Sequence, residues 1–256
     1  MIAFRHSWQV TLRYLRYFVR QPAWVAISVI QPAIWLLLFG ALFRRVADIP
    51  GFRGSYVEFL TPGVVVMVAL LSAGWVGMSF IEDIDRGIMD RFLVSPIWLG
   101  ALNLGSVAQA VINVVVQSVI IIGLALIAGA RFHNGIVGVL VLVGVAGLLA
   151  AIIGSLSNGV AVLTRQRESL IGIVTLVTLP ATFLSTALMQ SSLLPNWLSW
   201  VARFNPANWA VEAGRSAATQ QADWGLIASR VGLLAALLLL SAAFATRAFH
   251  AYQRSI

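Results

Sequence analysis

Residues 136–163 read IVGVLVLVGVAGLLAAIIGSLSNGVAVL, a run without one charged side chain. About 20 apolar residues wound as a helix cross the ~30 Å hydrocarbon core of a bilayer. The run is therefore expected to be a membrane-spanning helix. Apolar stretches at roughly 23–43, 61–81, 101–128, 169–189 and 226–249 repeat the pattern. Barrel strands are shorter and alternate in polarity, which these uniform runs do not. The expected fold class is all-α integral membrane, with six transmembrane helices.

Composition agrees. Of the 256 residues, 60% are hydrophobic and only 10% charged, far from the balance of a soluble domain. The net charge of +8 comes from seventeen arginines and no lysine. These arginines sit near span ends and are not gathered with aromatics on one surface, which favours anionic lipid as a partner over nucleic acid. A chain without lysine cannot build the phosphate-gripping loop of a Walker-type ATPase, nor a Schiff base. With no cysteine there is no disulfide, thiolate or cysteine metal site. His6, His133 and His250 fall outside the apolar runs, and no HExxH or GxSxG motif is present, so no catalytic or metal-ligating residue is assigned.

Residues 1–22 carry Phe4, Trp8, Leu12, Leu15, Phe18 and Val19 at helical spacing, with His6, Gln9, Arg13, Arg16 and Arg20 on the other face. This pattern suits an interfacial amphipathic helix; a plain basic tail is the alternative. Residues 23–256 are read as a single six-span domain. Arginine near span ends is retained on the cytoplasmic side, which places both termini, residues 82–96 and the turn at 164–169 inside. Residues 44–60, 129–135 and 190–225 then lie outside. Trp197, Trp200, Phe204 and Trp209 in the last outer segment favour the headgroup region, and Pro195 and Pro206 suit helix starts. Residues 190–215 are therefore expected to return to the interface as short broken helices, or else to form a loose loop.

Between the second and third runs lies a charged island, Glu82-Asp83-Ile84-Asp85-Arg86-Gly87-Ile88-Met89-Asp90-Arg91-Phe92-Leu93-Val94-Ser95-Pro96. Wound as a helix, it sets Ile81, Ile84, Ile88 and Phe92 on one face and Glu82, Asp83, Arg86 and Asp90 opposite. Charges of both signs suit a protein partner more than anionic lipid; a solvated loop holding two span ends in water explains them equally. Gly87 permits a bend, and Ser95-Pro96 ends the helix. Inside the membrane, Ser106, Gln109, Asn113 and Gln117 share one face of the third run, and Thr175, Thr178, Thr182 and Ser185 one face of the fifth. Such groups face protein or a cavity rather than lipid. They either pack helices together or line a path, to which Trp75 and Met78 are apolar candidates. No ionised side chain falls mid-span, which argues against an ion-driven pump.

The spacing Glu82-x-x-x-Arg86-Gly87-x-x-Asp90-Arg91-x-x-x-Ser95-Pro96 resembles the cytoplasmic segment of type-2 ABC exporter permeases, among them the daunorubicin-resistance and Nod-factor-export permeases. The Phe204-Asn205-Pro206 segment, the basic amphipathic N-terminus and the six-run layout are similar too, so the resemblance covers essentially the whole chain. Ile88 stands where the family commonly has Thr, and Asp90 where it has Glu. The resemblance implies that Glu82, Asp83, Arg86, Gly87, Asp90, Arg91 and Pro96 belong to a coupling helix docked on a separate ATPase subunit. It further implies two copies of that ATPase, carrying ATP and Mg, and a second permease, identical or homologous. No cofactor belongs to this chain. Trp75, Met78, Gln109, Asn113, Gln117, Thr178, Thr182 and Ser185 would line the path, with Phe204, Asn205 and Pro206 as an outer gate. The expected setting is a bacterial inner membrane, and the expected cargo an amphipathic or hydrophobic drug, lipid or lipid-linked sugar. A secondary transporter or channel acting without an ATPase is the alternative.

Overall fold

The computed structural model describes residues 11, 22–43, 55–89, 99–190 and 194–254. Among these the regular structure is all helical: α1 (Pro22–Leu42), α2 (Tyr56–Gly74), α3 (Met78–Asp85), α4 (Leu99–Ile127), α5 (Gly135–Thr164), α6 (Arg167–Phe183), α7 (Asn196–Ala202), α8 (Pro206–Ala218) and α9 (Trp224–Gln253). Four stretches are long and apolar enough to cross a membrane: 56–85 taken across its break, 100–127, 135–164 and 224–253. The N-terminal amphipathic segment lies outside the described residues except for Thr11, whose buried hydroxyl donates to the Gly105 carbonyl on α4 at 3.1 Å.

Local sequence explains where the helices start. Ser55 caps α2 by accepting from the Glu58 N–H, while the Glu58 carboxylate accepts from the Ser55 N–H, each at 3.2 Å. This reciprocal capping box satisfies two donors that a helix end otherwise leaves bare. The second Glu58 oxygen accepts from the Arg131 N–H at 2.8 Å and so ties the α4–α5 connection to the start of α2. Trp35, Phe39 and Phe43, four residues apart, stack at 4.8 and 5.6 Å and run on through Tyr56 to Phe59. Their (i, i+4) spacing lays an aromatic column along the seam between α1 and α2.

α5 is the centre of the molecule, packed against α2, α4, α8 and α9. Small residues let neighbours approach it: a Cβ on Gly138 would overlap the Ala217 carbonyl oxygen, and one on Gly159 would sit 2.5 Å from the Phe244 ring. Close approach through glycine is how helices associate where lipid supplies no hydrophobic drive. The main core runs along α2 and α5, with Leu60, Val65, Ala69, Leu142, Leu149 and Ile152 fully buried. A second cluster at one end joins Phe80, Ile81, Met89, Leu102, Val162, Leu170 and Phe249.

Three sequence expectations are corrected. The second run is not one unbroken helix, because α2 stops at Gly74 and α3 begins at Met78 after a turn. The break is stabilised from outside: Ser157 Oγ donates to the Gly74 carbonyl at 2.5 Å and accepts from the Gly77 N–H at 3.0 Å. Those are backbone groups that the interrupted ladder leaves open. The island is likewise not one continuous helix, since α3 ends at Asp85 and Gly87 takes φ +63, the left-handed conformation that glycine adopts freely. The helix of the fifth run, α6, also ends earlier than that run, at Phe183.

Candidate functional site

One end of the bundle gathers α3, the α5–α6 turn and the end of α9. Arg167 donates to Asp85 at 3.0 Å, and Arg165 stacks on the Tyr252 ring at 4.5 Å from its centroid. Arg165 closes α5 in a left-handed conformation, φ 56, which turns the chain sharply into α6. Exposed ion pairs of this kind contribute about 0–1 kcal/mol, so the apolar cluster of Phe80, Ile81 and Phe249 underneath sets the geometry. Phe80 and Phe249 meet edge to face at 5.1 Å.

The island residues are not equivalent. Glu82 is half-buried and pairs with Arg86 at 3.9 Å, while Asp85 and Arg86 are exposed. Asp83, expected on the polar face, is instead 4% exposed. A helix as short as α3 covered on more than one side keeps only a narrow polar face, here Glu82 and Asp85, and a buried carboxylate is stable only with partners. Gly87 makes the bend, and a Cβ there would meet nothing within 4 Å, so its requirement is conformational. Asp90, Arg91 and Pro96 lie outside the described residues.

The stripe on α4 divides. Gln117 is buried, accepts from Ser72 on α2 at 2.8 Å and donates to Asn113 at 3.2 Å. Ser106 donates to Asn158 on α5 at 3.3 Å, and Asn158 donates to Asn103 at 2.9 Å. Gln109 is half-buried with no hydrogen bond among the described residues. On α6 the hydroxyls turn back on their own helix: Thr178 donates to Val174, Thr182 to Thr178, and Ser185 to Thr182, at 2.8, 2.8 and 2.6 Å. Their face packs on α2, where a Cβ at Gly74 would sit 2.7 Å from Val174 and 3.5 Å from Thr178. Trp75 stands 41% exposed at the α2–α3 break, and Met78 packs on the Phe80 cluster.

The opposite end holds a polar cluster that the sequence reading did not assemble. Asn205 Oδ1 accepts from the Ala207 N–H at 2.9 Å, capping α8 with Pro206 in its first turn. The same side chain's amide donates to the Ala181 and Leu184 carbonyls at 2.7 and 2.9 Å. These are terminal carbonyls of α6 with no helical partner beyond them. Phe204 is exposed beside Trp200. Asn208 accepts from the Thr186 N–H and hydroxyl at 2.9 and 2.7 Å and donates to Glu212 at 2.8 Å. Glu212 pairs with Arg230 on α9 at 2.8 Å.

Arg215 completes the cluster. It donates to the Thr186 carbonyl at 2.9 Å and, at 3.4 Å, to those of Phe59 and Ala187, with its guanidinium 3.8 Å over the Phe59 ring. Burial lowers its pKa from the usual arginine range to about 9, opposed by Glu212, so it stays charged at neutral pH. The signal available in the sequence was charge scarcity: Glu212, Arg215 and Arg230 are ionisable residues beside an apolar run. Ser157 and Asn158 carried no such mark, being ordinary small polar residues inside one.

Apolar helices packed around α5, with charge among the described residues confined to the two ends, define an all-helical membrane protein. The chain belongs to the ABC-2 type transporter family, whose model matches residues 5–218. It is 27% identical over 211 residues to the daunorubicin resistance ABC transporter permease protein DrrB1 of Streptomyces coeruleorubidus, covering 82% of this chain and 72% of that one. It is 25% identical over 218 residues to the inner membrane transport permease YadH of Escherichia coli K12, covering 84% and 82%.

Proposed function

We propose that this chain is the transmembrane permease subunit of an ATP-binding-cassette exporter, moving an amphipathic or hydrophobic molecule out of the cytoplasm or inner leaflet. Energy comes from two copies of a separate ATPase subunit that hold ATP and Mg. The chain pairs with a second permease and crosses a bacterial inner membrane six times as one domain, with both termini cytoplasmic. The observation that carries this reading is the two-signed surface that Glu82 and Asp85 of α3 form with Arg86 just after it and Arg167 of α6, while the other side of α3 is locked into the bundle by Phe80 and Ile81. A partner that pulls on such a surface moves the bundle rather than a loose loop.

In this reading Glu82, Asp83, Arg86, Gly87, Asp90, Arg91 and Pro96 form the coupling segment. Gln109, Asn113 and Gln117 with Trp75 and Met78 border the path, with the Thr178, Thr182 and Ser185 face behind them. Phe204, Asn205 and Pro206 hold the outer side. ATP-driven closure of the ATPase pair would shift the balance between inward-open and outward-open states.

The test is charge reversal at Glu82 and Asp90 together, in the permease co-purified with its ATPase and reconstituted. Substrate-stimulated ATP hydrolysis is expected to vanish while insertion and basal hydrolysis persist. Full stimulation in that variant would overturn the coupling role.

A further inference from the structure

The last turns of α9 carry Arg247, His250, Ala251 and Arg254 around a shallow, open cleft lined by that helix's own side chains. Arg86, Arg165, Arg167, Arg215 and Arg230 all have side-chain partners. Arg247, His250 and Arg254 have none among the described residues, and all three are exposed. Cations at a helix C-terminus complement the dipole, but that role requires neither a cleft nor any particular approach to it.

The approach is what distinguishes this end. Leu233, Leu240, Arg247 and Arg254 recur every seven residues, and Phe244 and Ala251 fall between them on the same stripe. Along it the surface is apolar first, with Leu233 43%, Leu240 67% and Phe244 37% exposed. It then turns basic at Arg247. Ala251 leaves room between the two arginines, and Phe244, one turn before Arg247, rests against Gly159 of α5. An apolar track opening into a basic cleft matches a molecule with an acyl chain and an anionic head. A free phosphate would use the cleft and ignore the track.

We infer that this cleft binds the phosphate headgroup of an anionic phospholipid whose acyl chain lies along Leu233, Leu240 and Phe244. The arginines hold the phosphate through charge-assisted hydrogen bonds. The site lies at the same end of the bundle as the coupling surface but uses other residues, and does not depend on the transport reading.

The test uses the purified full chain in detergent, with phosphatidylglycerol and phosphatidylcholine as probes and native mass spectrometry as readout. Wild type is expected to retain phosphatidylglycerol in preference. At about fivefold per basic residue near the headgroup, R247Q/R254Q should bind it roughly 30-fold more weakly. R247K/R254K, which keeps the charge, should recover most of that loss, and L240S should weaken retention while leaving the cations intact. Thermal unfolding is expected to match wild type in all three, since these side chains are exposed. Equal retention of the two lipids, unchanged retention in R247Q/R254Q, or displacement by millimolar inorganic phosphate would each overturn the assignment. So would loss of ATPase co-purification in R247Q/R254Q with lipid retention unaltered, which would make the cleft a protein contact.

Discussion

Asn205 is a single side chain joining two helices, and its substitutions separate its two tasks. Its oxygen caps α8 by accepting from the Ala207 N–H, which fixes the amide nitrogen as the donor to the Ala181 and Leu184 carbonyls. Loss of an N-cap costs about 1 kcal/mol. Leaving a buried carbonyl unpaired costs about 1.5 kcal/mol, within the usual range for such groups. Asn205→Ala should therefore destabilise by roughly 4 kcal/mol, cap and two carbonyls together. At about 2–4 °C per kcal/mol for a chain of this size, the unfolding midpoint falls by roughly 8–16 °C. Asn205→Ser keeps the cap and loses the two donated bonds, so its drop is smaller, roughly 6–12 °C. Asn205→Asp also caps, but sets a carboxylate oxygen against two carbonyl oxygens and should be worse than serine. Thermal unfolding of the detergent-purified variants reads all three. A serine variant within about 2 °C of wild type, or an aspartate variant at least as stable as serine, would refute the two-task account.

Four further outcomes are expected. Gly63→Ala places a Cβ in overlap with the Ala187 carbonyl, and because backbone cannot yield as a side chain does, purified yield and thermal stability should both collapse. Gly123→Ala, where a Cβ meets nothing within 4 Å, should be neutral or stabilising by about 0.5–1 kcal/mol in the same assay. Gln117→Leu deprives the Ser72 hydroxyl of its acceptor and should lower stability by about 0.6 kcal/mol, typical of an interhelical bond in a membrane. Gln109→Leu should leave stability unchanged and alter which compounds stimulate the partner ATPase; the reverse pattern would make Gln109 a packing residue.

How much was legible in the sequence depended on whether the cause was local. Pro206 after Asn205 announces a helix start, and the start is where α8 begins. The apolar runs located the helices because length and hydropathy are properties of a segment. The break at Trp75–Gly77 was hidden, since it is stabilised by Ser157, eighty residues away from Gly77 in the chain. Asp83 was misplaced for the same reason: helical periodicity assigns faces but cannot tell how many faces are covered. The Glu212, Arg215 and Arg230 cluster needed α8 and α9 brought together, which no spacing within either helix announces.

α5 has a mechanical consequence. It touches α3's broken entry through Ser157 near one end and the backbone of α8 at Ala217 through Gly138 near the other. The nineteen intervening residue steps make a rigid arm of about 28 Å. A pivot of roughly 5° about Ser157 would carry the Gly138 contact about 2.5 Å sideways over that length. Gly138 brings the two backbones close there, and Asn134 Nδ2 donates to the same Ala217 carbonyl at 3.1 Å, so the contact is both close and hydrogen-bonded. A rigid displacement of α5 would therefore be passed directly to α8, whose first turn Asn205 joins to the α6 terminus.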